Sequence, residues 1–272
     1  MKRKNITLTE TMYETQKGAE EDYSRAFKKV FDKICGTTVP PEKRTQYETV
    51  TVGGEQNEDT LFGDAPMPEV VLLGTSNSSA SSNVANFEGF LKEALSADVD
   101  NRAITGAGID TSMIAYLNSE RARTNPARLA VWEVPGYYDF DHMHHNVFRQ
   151  AIPALSGPCG AGAILKHENK KITSEQPLAL FAKTGGINTG AFYIDLNFDQ
   201  AVTEHFSIEI EHEKTTDEQT FKRSNRYPKA DGQFYYLIDN PDKGDVESIT
   251  LKPHEDMIGN AVTASICKLK TH

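Results

Sequence analysis

A short apolar run, followed by a glycine and small hydroxyl residues, most constrains how this chain can fold. Val70 to Leu73 are four consecutive apolar residues, which is typical of a buried strand. Gly74 then permits a tight turn, and Ser76 follows two positions later. In open α/β sheets, ligands and chemistry gather beyond the carboxyl ends of the strands. The pattern therefore predicts a strand and turn that present a serine at such an edge.

Two interpretations of Ser76 are open at this level. Ser76 can be a nucleophile, as in the strand-turn-helix elbows of serine hydrolases. It can also be a helix N-cap, because a serine oxygen accepts hydrogen bonds from the N–H groups of a first helical turn. The local sequence alone favours the cap, so the choice depends on the rest of the chain.

The composition excludes several classes of protein. Among 272 residues, Lys and Arg number 29 and Asp and Glu number 39, a formal net charge of −10 that argues against a nucleic-acid partner. The apolar runs reach about five residues, too short for a transmembrane segment. The polar start of the chain lacks the apolar core of a signal peptide. The chain is therefore expected to be cytoplasmic, or else a mature form or a fragment.

Helical, loop and strand patterns follow one another through the first half. Residues 16–34 have helical apolar spacing, and residues 37–68 are polar and rich in turn-forming residues, which predicts a helix and then a long connection. The predicted strands are 70–73, 98–104 and 129–134, with helices from near Asn83 and after Asp110. This alternation predicts a parallel sheet covered by helices.

After about residue 155 the pattern changes to alternating apolar and polar residues. The stretches are 178–181, 191–198, 205–211, 233–238, 248–251 and 262–269. Alternation without intervening helices predicts an antiparallel β-sandwich of about seven strands. We place the boundary near Gly157, which gives an α/β domain over residues 1–156 and an all-β domain over residues 157–272.

The cysteines leave two interpretations open. Cys35, Cys159 and Cys267 form no pair with zinc-ligand spacing, so no metal site is expected from them. Cys159 and Cys267 stand near the two ends of the β-rich segment, which suits a disulfide formed in an oxidising compartment. Two unrelated buried thiols fit the same spacing equally well.

Four sequence blocks resemble the SGNH hydrolase-like domain of alginate O-acetyltransferases of the AlgX and AlgJ type. The blocks are Gly74–Ser78, Asn86–Leu91, Gly106–Gly108 and Trp132–Tyr138. Their order and spacing are most similar to the AlgX branch, which also carries a C-terminal β-sandwich carbohydrate-binding module with a disulfide. The resemblance covers most of the chain. It implies a partial SGNH hydrolase-like α/β domain, a carbohydrate-binding sandwich and a Cys159–Cys267 disulfide.

The resemblance also implies acyl transfer without a cofactor. Ser76 matches the family's nucleophile, and its N–H together with that of Gly106 or Gly108 would form the oxyanion hole. The same glycines also fit an ordinary strand-to-helix turn. The implied partners are a polysaccharide acceptor, expected to be anionic, and an acetyl donor protein or carrier of a biosynthetic complex. The implied location is the periplasm.

The chain departs from the family where the catalytic base is expected. The family has an Asp-x-His pair upstream of the serine, whereas the matching positions here are Thr11 and Tyr13. Threonine has no carboxylate to orient an imidazole, and a tyrosine with an ordinary pKa of about 10 is a poor base at pH 7. Much of the family's upstream sequence also has no counterpart, so the α/β domain is expected to be incomplete at its N-terminus.

A dense titratable cluster offers a substitute base. Asp141 with His144 or His145 has the chemistry to orient and activate a serine. The same residue types also bind divalent metals, and a solvated loop or helix start explains them without either role.

A basic cluster in the all-β domain suggests where an anionic sugar binds. Arg223 and Arg226 are expected to contact a uronate carboxylate, and Tyr227 to stack on a sugar ring. Tyr137, in the last family block, is expected to contact the acceptor. A charged hairpin with core tyrosines behind it is the alternative.

Three functions follow from these observations. The first is an AlgX-like polysaccharide O-acetyltransferase that acts on alginate or a related exopolysaccharide. The second is a non-catalytic polysaccharide-binding or scaffold protein that has lost the base. The third is a glycan acetyl esterase, which would pass the acetyl group to water.

Overall fold

The computed structural model describes residues 6–24, 26–36, 38, 40–53, 66–80, 86–185, 187, 192–200, 205–228, 232–238 and 241–270. The chain divides into two compact units. The first unit is Met1–Leu72, Ser76–Ala103 and Ala127–Val131, and the second is Leu73–Thr75, Ile104–Pro126 and Trp132–His272. The sequence predicts two continuous domains, residues 1–156 and 157–272, whereas each unit consists of three separate segments of the chain. The predicted domain boundary stays a prediction.

The first unit begins with a β-hairpin. Strand β1 (Tyr13–Tyr23) pairs antiparallel with β2 (Glu42–Thr51), and helix α1 (Ala26–Cys35) lies between them in the chain. The prediction of one helix over residues 16–34 is therefore wrong in its first half, and a strand lies within the predicted connection. The apolar residues of β1 have helical spacing, but the segment pairs with β2 and forms a strand. Strand β2 favours this pairing because it is rich in Thr, Tyr and Val.

A three-stranded sheet follows, with the order β4-β3-β5. Its strands are β3 (Val70–Leu73), β4 (Val99–Asn101) and β5 (Leu129–Trp132). The predicted parallel pairing is confirmed for β3 and β4, and every residue of β3 is buried. Helix α2 (Phe87–Leu95) places Leu91 and Leu95 against this core. The predicted helix start near Asn83 lies outside the described residues.

The second unit contains three helices and eight strands in the described part of the chain. The helices are α3 (Thr111–Leu117), α4 (Glu120–Thr124) and α5 (Phe140–Ser156). The strands are β6 (Ala163–Lys171), β7 (Leu178–Phe181), β8 (Phe192–Phe198), β9 (His205–His212), β10 (Thr216–Lys222), β11 (Gln233–Ile238), β12 (Val246–Lys252) and β13 (Ala261–Lys268). Six of these strands match predicted stretches. Strands β6 and β10 were not predicted, because polar residues interrupt the alternation of apolar and polar positions. The interrupting residues are Lys, Glu and Asn in β6, and Asp, Glu and Gln in β10.

Two antiparallel sheets of the second unit share one hydrophobic core. Their strand orders are β10-β9-β12-β7 and β11-β8-β13-β6. Phe198 of β8 and Phe206 of β9 belong to different sheets, and their ring centroids are 5.2 Å apart. The ring centroid of Phe206 also lies 4.8 Å from that of Phe234 in β11. Aromatic pairs of this kind fill the space between the sheets, so burial of apolar surface holds the sheets together.

A disulfide joins Cys159 to Cys267, and the two Cα atoms are 5.7 Å apart. Cys159 follows α5 and Cys267 lies in β13, so the bond connects the start of the β-rich segment to its last strand. The Cys159 N–H donates to the Asp195 carboxylate at 3.0 Å. The predicted disulfide is thus present, and Cys35 is an exposed free thiol.

Among the described residues, no helix combines the length and apolarity needed to cross a lipid bilayer.

Candidate active site

Ser76 lies in a turn immediately beyond the end of β3 and is partly buried. The N-cap of the next described helix, α2, is Asn86, whose φ of 47° is left-handed. Ser76 therefore does not cap α2, and the alternative that the local sequence favoured does not hold for that helix. The turn places the serine beyond the carboxyl end of a buried strand, as predicted.

Side chains of the second unit fix the two residues before Ser76. The Gly74 N–H donates to Ser112 Oγ at 2.8 Å. The Thr75 N–H and hydroxyl both donate to Glu133 Oε2, at 2.8 and 2.9 Å. The Glu133 N–H in turn donates to the Leu73 carbonyl at 2.8 Å. Sequence reasoning missed these contacts, although a Glu directly after an apolar strand was a usable signal.

The residues after Ser76 line a cavity of about 440 Å³ within the first unit. Asn77 and Ser78 form part of its wall, and β1, β2 and α2 provide the remainder. The Ser78 carbonyl accepts a hydrogen bond from Asn101 Nδ2 at 2.8 Å, which ties the turn to the end of β4. No pattern in the sequence indicated this cavity, because its walls come from strands that were predicted as helix and loop.

Tyr13, which the sequence comparison predicts at the position of the family's histidine, also lines this cavity. Burial raises its pKa, and the nearby Asp98 carboxylate raises it further. The tyrosinate form is therefore even less accessible at neutral pH than in an ordinary tyrosine. Thr11 donates its backbone N–H to the Ser96 carbonyl at 2.8 Å. Neither residue is a general base.

Gly106 and Gly108 lie in the second unit with φ values of 75° and 84°. Both values are left-handed, a conformation that glycine adopts without strain. A Cβ on Gly106 would also lie 3.1 Å from Arg226 Nε, so the Arg226 side chain packs closely over this turn. These observations explain why glycines stand here, and their predicted oxyanion role stays a prediction.

Asp110 follows this turn and is a partly buried acid. Burial raises its pKa, while its own backbone N–H and that of Thr111 act in the opposite direction. The Asp110 charge also contributes to the raised pKa of Tyr138, for which burial is the largest cause. Sequence reasoning treated Asp110 as a helix cap and missed its burial.

Asp141, His144 and His145 lie in the first half of α5, directly after the N-cap residue Asp139. Their backbone is helical, as in the interpretation of the cluster as a helix start. Their side chains lie outside the described part of the structure, so the substitute base stays a prediction. Within residues 1–272 the first histidine is His142, which follows Ser76.

The predicted sugar-binding residues of the second unit differ in exposure. The Arg223 guanidinium carbon lies 3.5 Å from the Phe234 ring centroid and 4.2 Å from that of Tyr227. Arg223 also donates to the Gln233 carbonyl, and Tyr227 is only 7% exposed. A sugar would reach the Tyr227 ring only if Arg223 moved. Arg226 is exposed.

Tyr137 presents the most open aromatic surface in this region. Its side chain is 78% exposed, and its ring centroid is 4.9 Å from that of Tyr138. The tilt between the rings is 31°, so Tyr137 packs over Tyr138 in an offset, tilted stack. The exposed face of the Tyr137 ring can support a sugar ring without displacing protein groups.

These features define a class: an α/β fold with a parallel strand pair and a serine turn beyond its central strand, joined to antiparallel sheets. Residues 1–136 match a family model described as an SGNH hydrolase-like domain, acetyltransferase AlgX. The chain belongs to this AlgX family of SGNH hydrolase-like proteins.

Several relatives carry alginate names. The alginate biosynthesis protein AlgX of Pseudomonas aeruginosa is 30% identical over 247 residues, covering 89% of this chain and 51% of the relative. AlgX of Pseudomonas syringae is 29% identical over 255 residues, covering 87% and 50%. The probable alginate O-acetylase AlgJ of Pseudomonas aeruginosa is 41% identical over 112 residues, covering 40% and 28%. The chain spans about half the length of the AlgX relatives.

A solved structure supports the fold. The structure reported as the structural and functional characterization of Pseudomonas aeruginosa AlgX superposes with a TM-score of 0.76. The match covers 97% of this chain and 61% of the AlgX chain, at 24% sequence identity. At that identity the likeness establishes a shared fold and nothing about activity.

Proposed function

We propose that this chain is a polysaccharide O-acetyltransferase that works through an acetyl-Ser76 intermediate. The observation that carries the proposal is the position of Ser76 in a turn beyond a buried strand, where Ser112 and Glu133 bind the two preceding residues, Gly74 and Thr75. A rigidly held serine in that position suits nucleophilic acyl transfer. The names of the relatives suggest alginate or a related exopolysaccharide as acceptor.

The chemistry takes two balanced steps. Ser76 Oγ attacks the acetyl carbonyl of the donor, its proton passes to a base, and the donor's leaving group departs with a proton. A sugar hydroxyl then attacks the acetyl-serine, which forms the sugar ester and returns the proton to Ser76. Backbone N–H groups of Gly106 or Gly108, with that of Ser76, are proposed to stabilise the oxyanion of each tetrahedral intermediate.

The base and the acceptor contacts belong to the same proposal. Asp141 with His144 or His145 is proposed as base, because the positions that match the family pair cannot serve. Tyr137 is proposed to support the acceptor, with Arg226 as a cationic contact. The second unit is proposed to act as a carbohydrate-binding module, and the activity is placed in the periplasm, where a disulfide persists.

An acetyl-enzyme experiment tests this function. The protein is incubated with p-nitrophenyl acetate, and the Ser76 peptide is examined by mass spectrometry for an acetyl adduct. Ser76→Ala should abolish both the adduct and ester turnover. Ser207→Ala makes the same chemical change at a partly exposed position of β9 in the second unit and should leave both intact. An unmodified Ser76 in the active preparation would rule out this mechanism.

The raised pKa of Tyr13 favours a second candidate, a non-catalytic polysaccharide-binding protein. That function predicts no acetyl adduct, together with retention on an immobilised alginate column. Arg223→Ala combined with Arg226→Ala should then abolish retention. An acetyl esterase, the third candidate, would form the adduct but release acetate without acetylating an added glycan.

A further inference from the structure

Two histidines lie side by side on one sheet of the second unit and have no part in the proposed mechanism. His205 is the first residue of β9, and His254 follows the end of β12 by two residues. Their ring centroids are 4.2 Å apart, and the rings are tilted by 44°. We call these two residues the histidine pair, and both belong to the second unit.

The register of the sheet explains why the two side chains meet. Strands β9 and β12 are antiparallel neighbours, and Lys252 is the partner of Ser207. The backbone of His254 is extended, so the register continues for two more steps and brings His254 opposite His205. Side chains two residues apart in an extended segment point to the same face. The histidine pair therefore shares the face of Ser207 and Lys252.

The Asp256 carboxylate determines which nitrogen of His254 is open to a ligand. Asp256 Oδ1 lies 2.9 Å from His254 Nδ1. An ionised carboxylate only accepts hydrogen bonds, so Nδ1 carries the proton and Nε2 has a lone pair. Metal-binding histidines have this arrangement, because a carboxylate on one nitrogen orients the ring and makes the other nitrogen a better ligand.

The remaining ring nitrogens of the pair are open to a ligand. Within the described part of the chain, neither His254 Nε2 nor the His205 ring forms a hydrogen bond with another residue. A metal ion at these nitrogens would therefore break no contact between described side chains.

The spacing of the rings suits two ligands of one metal ion. Two imidazoles bound at right angles to a metal, with bonds of about 2.0–2.1 Å, place their ring centroids about 4.5 Å apart. The observed 4.2 Å is close to that separation, so binding requires little movement of either ring. Two imidazoles at a tetrahedral angle would be about 5 Å apart and would require more movement.

The charges around the pair are compatible with a cation. The Lys252 ammonium is bound by Glu209 and Glu218, each at 2.7 Å, so carboxylates neutralise it. Lys222 lies opposite His205 on β10 and is exposed. Its charge weakens cation binding without preventing it, because water and salt screen an exposed charge.

We propose that the histidine pair binds an exchangeable divalent transition-metal ion through His254 Nε2 and one ring nitrogen of His205. Imidazole ligands suit Zn²⁺, Ni²⁺ and Cu²⁺, whereas Mg²⁺ and Ca²⁺ prefer oxygen ligands. Among the described residues, no third side chain with a metal-ligand atom converges on the pair, so water completes the coordination. Asp256 is a positioning residue that holds the His254 ring. The metal joins the start of β9 to the turn after β12.

Metal titration of the untagged full chain tests the proposal. Calorimetry with Zn²⁺ or Ni²⁺ should show that His205→Gln combined with His254→Gln loses one bound ion per chain, and Mg²⁺ should not bind at this site. Metal bound at the histidines of α5 is present in parent and variant alike and cancels in the comparison. His167→Gln changes an exposed histidine of β6 that packs on Phe181, and it should bind like the parent. Equal binding by the parent and the double variant would overturn the proposal.

A second variant tests the role of Asp256 in the same titration. Asp256→Ala should weaken metal binding at this site about 10–100-fold, because the His254 ring loses its orienting acceptor. Glu255→Ala removes the neighbouring exposed carboxylate and should leave the affinity unchanged. Circular dichroism of the metal-free proteins checks that both variants are folded. Parent-like affinity in Asp256→Ala would contradict the assigned ligand geometry.

Thermal unfolding provides an independent measurement. A ligand that binds only the folded protein stabilises it, so Zn²⁺ should raise the unfolding temperature of the parent. The rise should be smaller in the variant that lacks both His205 and His254. An equal rise in the two proteins would show that the stabilising metal binds elsewhere and would refute the site.

Discussion

At the scale of single residues, Glu133 shows how a side chain distant in the sequence from Ser76 defines the serine turn. Its carboxylate accepts two hydrogen bonds from Thr75, a residue that is only 5% exposed. Buried donors that lose their acceptor are costly, because water cannot replace it. The position of the turn before Ser76 therefore depends on a residue that is far from it in the sequence.

Removing this acceptor should destabilise the protein and slow acetylation of Ser76. Glu133→Ala removes the acceptor of both Thr75 hydrogen bonds, which should lower the free energy of unfolding by about 1–3 kcal/mol. Glu133→Gln keeps an oxygen that can accept both bonds and should lose less. Urea unfolding and the rate of adduct formation measure the two effects. Equal losses for the two variants would contradict the assigned role.

Asp110 gives a prediction about pH. Burial raises its folded-state pKa above the unfolded value, so the ionised carboxylate destabilises the folded state at neutral pH. Asp110→Asn should therefore raise the free energy of unfolding at pH 7, since asparagine has nearly the same shape and carries no charge to desolvate. The advantage should shrink as the pH falls through the folded pKa, where Asp110 takes up a proton. A variant less stable than the parent at pH 7 would refute the argument.

At the scale of elements, the sequence predicts those strands whose formation depends on neighbouring residues in the chain. Val70–Leu73 is apolar throughout and forms β3 within the predicted bounds, and β7 and β11 also match their predicted bounds. Strand β1 was missed because its partner β2 lies about twenty residues away, across α1. The serine turn could be predicted for the same local reason as β3. Its anchor Glu133 and the walls of the cavity beside the serine turn could not, because they depend on pairing distant in the chain.

The approach of α2 to the hairpin gives a second mutational test. In an unconstrained helix, Gly→Ala stabilises by about 1 kcal/mol. At Gly89 the added methyl would meet Thr49 Oγ1 at 2.0 Å and the Asn86 side chain at 2.5 Å, so Gly89→Ala should destabilise by about 1–3 kcal/mol. Combining it with Thr49→Ala should recover part of the loss. Thermal unfolding of both single variants and the double variant measures the coupling.

A double variant more stable than expected from adding the two single effects would show relief of the clash. Strict additivity would mean that the helix and the strand do not meet as the structure describes. Gly36→Ala is unsuitable as a control because its φ of 63° adds backbone strain of its own.

At the scale of the whole molecule, the disulfide has the largest predicted effect on stability. It closes a loop between residues 108 positions apart. In the chain-entropy model, a loop of that length contributes about 4–5 kcal/mol by restricting the unfolded chain. The Asp195 carboxylate accepts hydrogen bonds from the Cys159 N–H and the Gln233 side chain, so the disulfide lies beside a polar network.

Replacing both bridged cysteines should therefore lower the free energy of unfolding strongly. Cys159→Ser combined with Cys267→Ser is expected to lose about 2–5 kcal/mol relative to the oxidised parent. Cys35→Ser changes only an exposed free thiol and should have little effect. Denaturant unfolding of the oxidised proteins provides the measurement. A loss below about 1 kcal/mol would show that the bond constrains little of the unfolded chain.

The strand order of the second sheet determines when this part of the molecule can fold during synthesis. Strand β13 (Ala261–Lys268) lies between β8 and β6, so it is an interior strand although it comes last in the chain. Until it emerges from the ribosome, β6 lacks its partner and β8 exposes an open edge that invites pairing with other chains. This sheet therefore closes only after β13 has been synthesised, which makes its closure a later step than the synthesis of β6 and β8.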